Sequence, residues 1–175
     1  MSKPTFAYFA YGSNLLKERL LLRNPTAVFR SIAKLEDYKL DFEAITDPNL
    51  SRWHGGVANI VEKPGDSLWG AVWELDNKDL PNLDKQEDIY KGFDVKVCYP
   101  GGQKVICRTY KIDKKGNPMY DKRPSPHYKD VIIRGARELQ LPNDYLDFLQ
   151  KIPDNGYQGR VPIYEEVMKK LGAKL

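Results

Sequence analysis

The chain has 175 residues, 41% hydrophobic and 30% charged, which suits one globular domain (residues 1–175) and argues against a disordered or fibrous chain. Lys and Arg number 28 against 24 Asp and Glu, and the net charge of +4 is spread along the sequence in short pairs such as Lys114-Lys115 and Lys169-Lys170. No basic run of the length that binds nucleic acid is formed, so no nucleic-acid partner is expected.

The N-terminus has no apolar leader, and no stretch of about 18 apolar residues offers a membrane span. With only two cysteines, Cys98 and Cys107, the expectation is a cytoplasmic protein without a disulfide framework.

Phe6 to Ala10 reads as a first strand, broken at Tyr11-Gly12-Ser13-Asn14. Leu15 to Leu22 then reads as a short helix capped by Ser13 or Asn14. Phe29 to Phe42 predicts one or two strands, and Asp47-Pro48-Asn49 a loop. Val57–Val61 and Leu68–Leu75 read as two strands separated by a turn at Lys63-Pro64-Gly65-Asp66. Asp76 or Asn77 caps a helix running to about Glu87.

Asp94–Tyr99 and Lys104–Ile112 form a hairpin around Pro100-Gly101-Gly102-Gln103. A two-residue turn at Gly101-Gly102 would pair Val95 with Arg108, Val97 with Ile106 and Phe93 with Tyr110. It would put Cys98 and Cys107 on one face, as two packed thiols or as diagonal neighbours. Ser125-Pro126 opens a helix whose inward face is Val131, Ile132, Gly135, Ala136 and Leu139. Pro142 ends it, a second helix carries Tyr145, Leu149 and Ile152, and Pro162 opens a third. Strands lead and helices trail, so the predicted class is α+β with a mainly antiparallel, barrel-like sheet.

Two places carry candidate chemistry. A Gly turn before a helix N-terminus offers backbone N–H groups to a carboxylate or phosphate, and equally describes a plain strand–helix turn with a cap. On the helix from Leu80, Glu87 lies four residues after Leu83 and seven after Leu80, on their apolar face. A carboxylate there is costly unless paired or used, and desolvation raises its pKa toward that of a general acid/base. The alternative is a helix-end Glu that reaches solvent or a Lys. Asp84, one turn earlier, is the weaker candidate. Ser13 lacks a nucleophile-elbow context and reads as a cap. Trp53-His54-Gly55-Gly56 reads as a cavity wall or as a turn. The two histidines, His54 and His127, have no metal-ligand spacing, and no nucleotide-binding loop is present, so neither metal nor cofactor is expected.

Taken together, Phe9-Ala10-Tyr11-Gly12-Ser13-Asn14-Leu15, Leu83-Asp84-Lys85-Gln86-Glu87, Trp53-His54-Gly55-Gly56, Cys107-Arg108-Thr109-Tyr110 and Pro124-Ser125-Pro126-His127-Tyr128 resemble the γ-glutamylcyclotransferase family, in its larger animal-type form. The resemblance implies a small mixed barrel flanked by helices. It also implies a reaction in which the α-amine of a γ-glutamyl compound attacks its own γ-carbonyl, releasing 5-oxoproline and an amino acid. By position it makes Glu87 the acid/base. Tyr8, Phe9, Ala10, Tyr11, Gly12 and Ser13 match the substrate-holding loop, Tyr128 a substrate-contacting Tyr, and Tyr110 a pocket Tyr. No metal or cofactor is implied, and a homodimer is left open. Asp88-Ile89-Tyr90-Lys91-Gly92-Phe93 is shorter than the family's usual stretch, and either Tyr90 or Phe93 stands in for its Tyr. Two rival readings use the same loop: cyclotransfer on γ-glutamylamines, and a non-catalytic module binding an acidic metabolite.

Overall fold

The structure, a computed structural model, describes residues 3–86 and 89–172. Five strands close into a barrel in the order β1-β3-β2-β4-β5. They are β1 (Thr5–Ala10), β2 (Val28–Glu43), β3 (Val57–Asp76), β4 (Lys91–Cys98) and β5 (Lys104–Lys111). All neighbours are antiparallel except the closing pair, β1 and β5, which run parallel at Tyr8↔Arg108. Side chains reinforce this short seam: the Thr109 hydroxyl donates to the Phe9 carbonyl at 2.8 Å and the Tyr11 hydroxyl to the Tyr110 carbonyl at 2.5 Å. Because β1 and β5 are parallel, the chain leaves both at the same end of the barrel. That end brings Tyr11–Asn14 beside Tyr110.

The turn expected at Lys63–Asp66 is not a turn. β3 runs through it without reversing, and Pro64 and Gly65 sit in an exposed bulge opposite Asp37. The register passes from Glu36↔Ser67 to Tyr38↔Glu62, so one residue of β2 faces four of β3. Asp37 takes φ 65° and Gly65 φ 86°, and the Asp37 carboxylate accepts from the Gly65 N–H at 3.0 Å. Pro is tolerated here because the bulge needs no ladder donor. The result is a sharp bend that lets two long strands wrap the barrel.

The hairpin forms with a register one residue from the expected one: Val95 pairs with Cys107, Val97 with Val105 and Phe93 with Thr109. The loop has three residues, with Gly102 donating to the Tyr99 carbonyl at 2.9 Å and taking φ 97°. A turn followed by a left-handed Gly is the usual three-residue solution. The one-residue slip reverses the expected faces. Cys107 turns inward with Val95 and Val97, Ile106 is left 56% exposed, and Cys98 points to the face opposite Cys107. The two thiols are therefore free and are not diagonal neighbours. Burial, with Asp94 nearby, pushes the Cys107 thiol up to about 12. Iodoacetamide at pH 8 should accordingly leave Cys107 unmodified in the native protein and label it after denaturation, as read by peptide mass spectrometry.

Helices cover one side. α3 (Pro126–Glu138) is capped by the Ser125 hydroxyl, which accepts from the Tyr128 N–H at 3.1 Å, and has Pro126 at its first position as expected. Its inward face buries Val131, Ile132, Gly135 and Ala136. α4 (Asn143–Gln150) and α5 (Pro162–Gly172) follow, burying Leu149 and Val167. No helix among the described residues is long and apolar enough to cross a membrane.

Candidate active site

The segment after β1 departs from the expected helix. Ser13–Leu15 is a single 3-10 turn, followed by the five-residue α1 (Lys17–Leu21). Neither Ser13 nor Asn14 caps it: Gly12 and Leu16 occupy the cap positions, with no side-chain cap bond. Five residues give only a short run of aligned peptide dipoles, so positive charge near the loop comes chiefly from side chains. The first N–H bonded inside the turn is that of Leu15, to Gly12, so the Gly12 and Ser13 N–H groups lie ahead of the turn's own bonding. Gly12 is close-packed: a Cβ there would meet the Ala58 Cβ at 3.1 Å and the Tyr128 hydroxyl at 3.3 Å.

Tyr8, Tyr11, Gly12 and Ser13 line a cavity of about 490 Å³ together with Tyr110 and Tyr128. That volume is typical of a small-molecule site. Phe9 and Ala10 lie outside its lining and are buried, 0% and 1% exposed. Trp53 also belongs to the wall, its ring 5.0 Å from that of Tyr128, whereas His54 stacks on Tyr157 away from the cavity. The Tyr128 hydroxyl accepts from the Ala58 N–H at 2.9 Å, and the Tyr8 hydroxyl accepts from the Asn14 side chain at 3.0 Å. Each phenol is thus held by the polypeptide before any ligand arrives.

The helix expected to carry Glu87 is present as α2 (Leu80–Gln86), with Leu83 fully buried as its inward anchor. Glu87 itself lies outside the described residues. Its neighbours on both sides, Lys85, Ile89 and Tyr90, line the cavity. Tyr90, not Phe93, is the aromatic residue of this stretch at the cavity, and its hydroxyl donates to the Ala58 carbonyl at 2.7 Å. Phe93 instead packs on Tyr38 and under Lys111.

Asp84 does not enter the apolar face. Its side chain is 43% exposed, and its carboxylate accepts from Arg108 Nη2 at 2.9 Å, Arg108 Nε at 3.2 Å and the Tyr110 hydroxyl at 2.5 Å. Burial and this acceptor hold the Tyr110 phenol well above the usual tyrosine range, with Arg108 opposing them. Arg19, Arg52 and Lys85 are the charged side chains of the wall among the described residues, all cationic; Arg19 is only 2% exposed and lies 5.9 Å from the Trp53 ring. Sequence reasoning missed Arg19. Its only signal was an Arg between Leu16 and Leu20, indistinguishable from a solvated helix face.

Comparison with known proteins decides the family. The chain is 43% identical to mouse gamma-glutamylcyclotransferase over 176 aligned residues, which span 98% of this chain and 92% of that protein. The chain belongs to the gamma-glutamylcyclotransferase family. It is 45% identical to the bovine gamma-glutamylcyclotransferase, over 97% of this chain and 91% of that one. A model of the AIG2-like family matches residues 67–149. A solved gamma-glutamyl cyclotransferase superposes with a TM-score of 0.87 at 41% identity, covering 95% of this chain and 99% of that structure. The expected barrel with flanking helices is thus a gamma-glutamylcyclotransferase fold, and the chain is homologous to enzymes of that family.

Proposed function

We propose that this protein converts γ-glutamyl amino acids to 5-oxoproline and the free amino acid in the cavity at the β1–β5 seam, with Glu87 as acid/base. The observation that supports the reading best is the cavity wall itself. It joins the loop Tyr11–Ser13 to residues on both sides of Glu87, with Tyr110 and Tyr128 between them.

Residues of this chain can perform each step. The α-ammonium arrives protonated and gives a proton to Glu87. The freed amine attacks the γ-carbonyl carbon, forming the ring C–N bond and an oxyanion. The Gly12 and Ser13 N–H groups polarise that oxygen. The bond to the leaving nitrogen then breaks as Glu87 returns a proton to it. The ring nitrogen, left cationic by the attack, gives up its second proton to solvent, and the expelled amine takes one up to leave as an ammonium, so two protons leave the α-nitrogen and two reach the leaving nitrogen without redox change. Closure of a five-membered ring is intramolecular, so holding the substrate folded supplies much of the acceleration.

Incubation with γ-glutamyl-alanine, γ-glutamyl-lysine isopeptide and glutathione, followed by assay of 5-oxoproline, tests the function. Release from γ-glutamyl-alanine is expected, and absence of 5-oxoproline from all three would refute the proposal. In a crystal soaked with 5-oxoproline, the ligand is expected against Gly12 and Ser13. Density confined to another cavity would reject this site. Turnover should be unchanged in EDTA, because the two histidines pack on Tyr157 rather than line the cavity. Loss in EDTA restored by a divalent ion would reject the metal-free scheme.

A further inference from the structure

We infer that Asp84 and Arg108 fix the Tyr110 hydroxyl as a hydrogen-bond acceptor toward the cavity, and that this oxygen receives the substrate's α-ammonium, with Asp84 as the positioning residue. The inference rests on the function proposed above and adds a recognition element for the charged nitrogen.

The argument is a count of donors and acceptors. A phenol has one proton to donate and two lone pairs. The Tyr110 proton is committed to Asp84, at 2.5 Å, and a carboxylate can only accept. One lone pair is taken by Arg108 Nε, whose single N–H is shared between this oxygen at 3.0 Å and the Asp84 carboxylate at 3.2 Å. What remains for a ligand is one lone pair and no proton. On a cavity-lining residue, such an oxygen matches an N–H donor and mismatches a carbonyl or carboxylate. A γ-glutamyl compound carries its most strongly donating group, the ammonium, on the atom that must be held for cyclisation. Donation to Asp84 also pulls electron density onto the phenol oxygen, strengthening its capacity to accept a charged donor.

The fold keeps this arrangement rigid. The Tyr110 backbone is pinned by the Tyr11 hydroxyl at 2.5 Å, and its ring meets the Tyr8 ring edge-on at 6.0 Å between centroids. The Arg108 guanidinium lies 5.2 Å from the Tyr110 ring centroid, across Gly92 of β4. A Cβ at Gly92 would come within 2.4 Å of Arg108 Nη2, so a larger residue there would displace the guanidinium from its place beside Tyr110. The network is therefore accommodated from three strands and α2, and does not depend on a ligand to assemble.

Titration calorimetry with L-glutamate and glutarate isolates the interaction. The two ligands differ only in the α-ammonium, and neither has an amide to cleave. The unmodified protein should prefer glutamate. In Tyr110→Phe the preference should fall by roughly 10- to 100-fold, the range for a hydrogen bond to a charged group, while glutarate affinity stays unchanged. Asp84→Asn should lose part of the same preference with the same selectivity for glutamate. A protein without a preference, or variants in which both ligands weaken together, overturns the inference. Glutamate selectivity in a protein that releases no 5-oxoproline would instead keep the inference and reject the proposed reaction. Thermal melts identify unfolded variants; should Tyr110→Phe fail to fold, the Asp84→Asn titration alone decides, because Asp84 is 43% exposed on its side chain and carries no core packing.

Discussion

Glu87→Gln should fold as the unmodified protein does and lose 5-oxoproline release by about 10²–10⁴-fold or more, the usual contribution of a general acid–base group. Gln preserves size and shape, so the Leu83 anchor of α2 is undisturbed. It cannot take a proton from the α-ammonium, and a protonated nitrogen has no lone pair for attack. Binding should survive, because the loop and the tyrosines of the wall are unchanged. Asp84→Asn is the informative comparison. Asp84 lies three residues earlier in the sequence, on α2, and is hydrogen-bonded to Arg108 and Tyr110, so its effect should be smaller and fall on substrate affinity more than on turnover. Steady-state 5-oxoproline release, with melts as the folding control, separates the two. Near-normal turnover in Glu87→Gln, or complete loss in a folded Asp84→Asn, would show that the base has been misassigned.

The sequence revealed the parts of the molecule whose signals are local. β1 and its Gly break, the Ser125-Pro126 start of α3 and the inward face through Gly135 all follow from neighbours within a turn or two. The errors lie where one strand's behaviour depends on its partner. Pro64-Gly65 carries a turn signal, and only pairing of β2 along both halves of β3 converts it to a bulge. The hairpin register turned on whether Gly102 stands inside a two-residue turn or supplies a third, left-handed residue, and that one-residue difference decides which of Cys107 and Ile106 is buried. At the site, the loop and tyrosines were legible from the family resemblance, and six of those residues share one cavity wall. The Asp84–Arg108–Tyr110 network was not. Residues 84 and 108 meet only through a side-chain ion pair between α2 and β5, and no spacing in the sequence encodes that approach.

Gly135 provides the second large effect, and it acts on stability through the same region. Glycine in the middle of a helix costs roughly 0.5–1 kcal/mol relative to alanine, so local propensity predicts that Gly135→Ala stabilises the protein. Packing predicts the reverse. A Cβ at Gly135 would lie 2.6 Å from the Leu15 carbonyl carbon, 2.6 Å from the Leu16 nitrogen and 2.7 Å from the Leu15 Cβ. Two of these atoms are backbone, in the turn that continues from Gly12 and Ser13, so a rotamer change cannot relieve the clash; α3 or the turn must shift. Overpacking of this kind costs about 1–3 kcal/mol, which outweighs the gain in propensity for alanine and grows with side-chain size. Gly135→Val, bulkier and β-branched, should lower stability by about 3 kcal/mol or more. For a chain of this length that is a fall in Tm of about 6–12 °C. Because the displaced turn begins at the cavity, substrate affinity should fall with stability in Gly135→Val, even at temperatures where the variant is folded. Melting curves for both variants, with 5-oxoproline release measured well below each Tm, test the argument. A higher Tm for Gly135→Ala would mean that α3 and the turn are not in the close contact that positions Gly12 and Ser13.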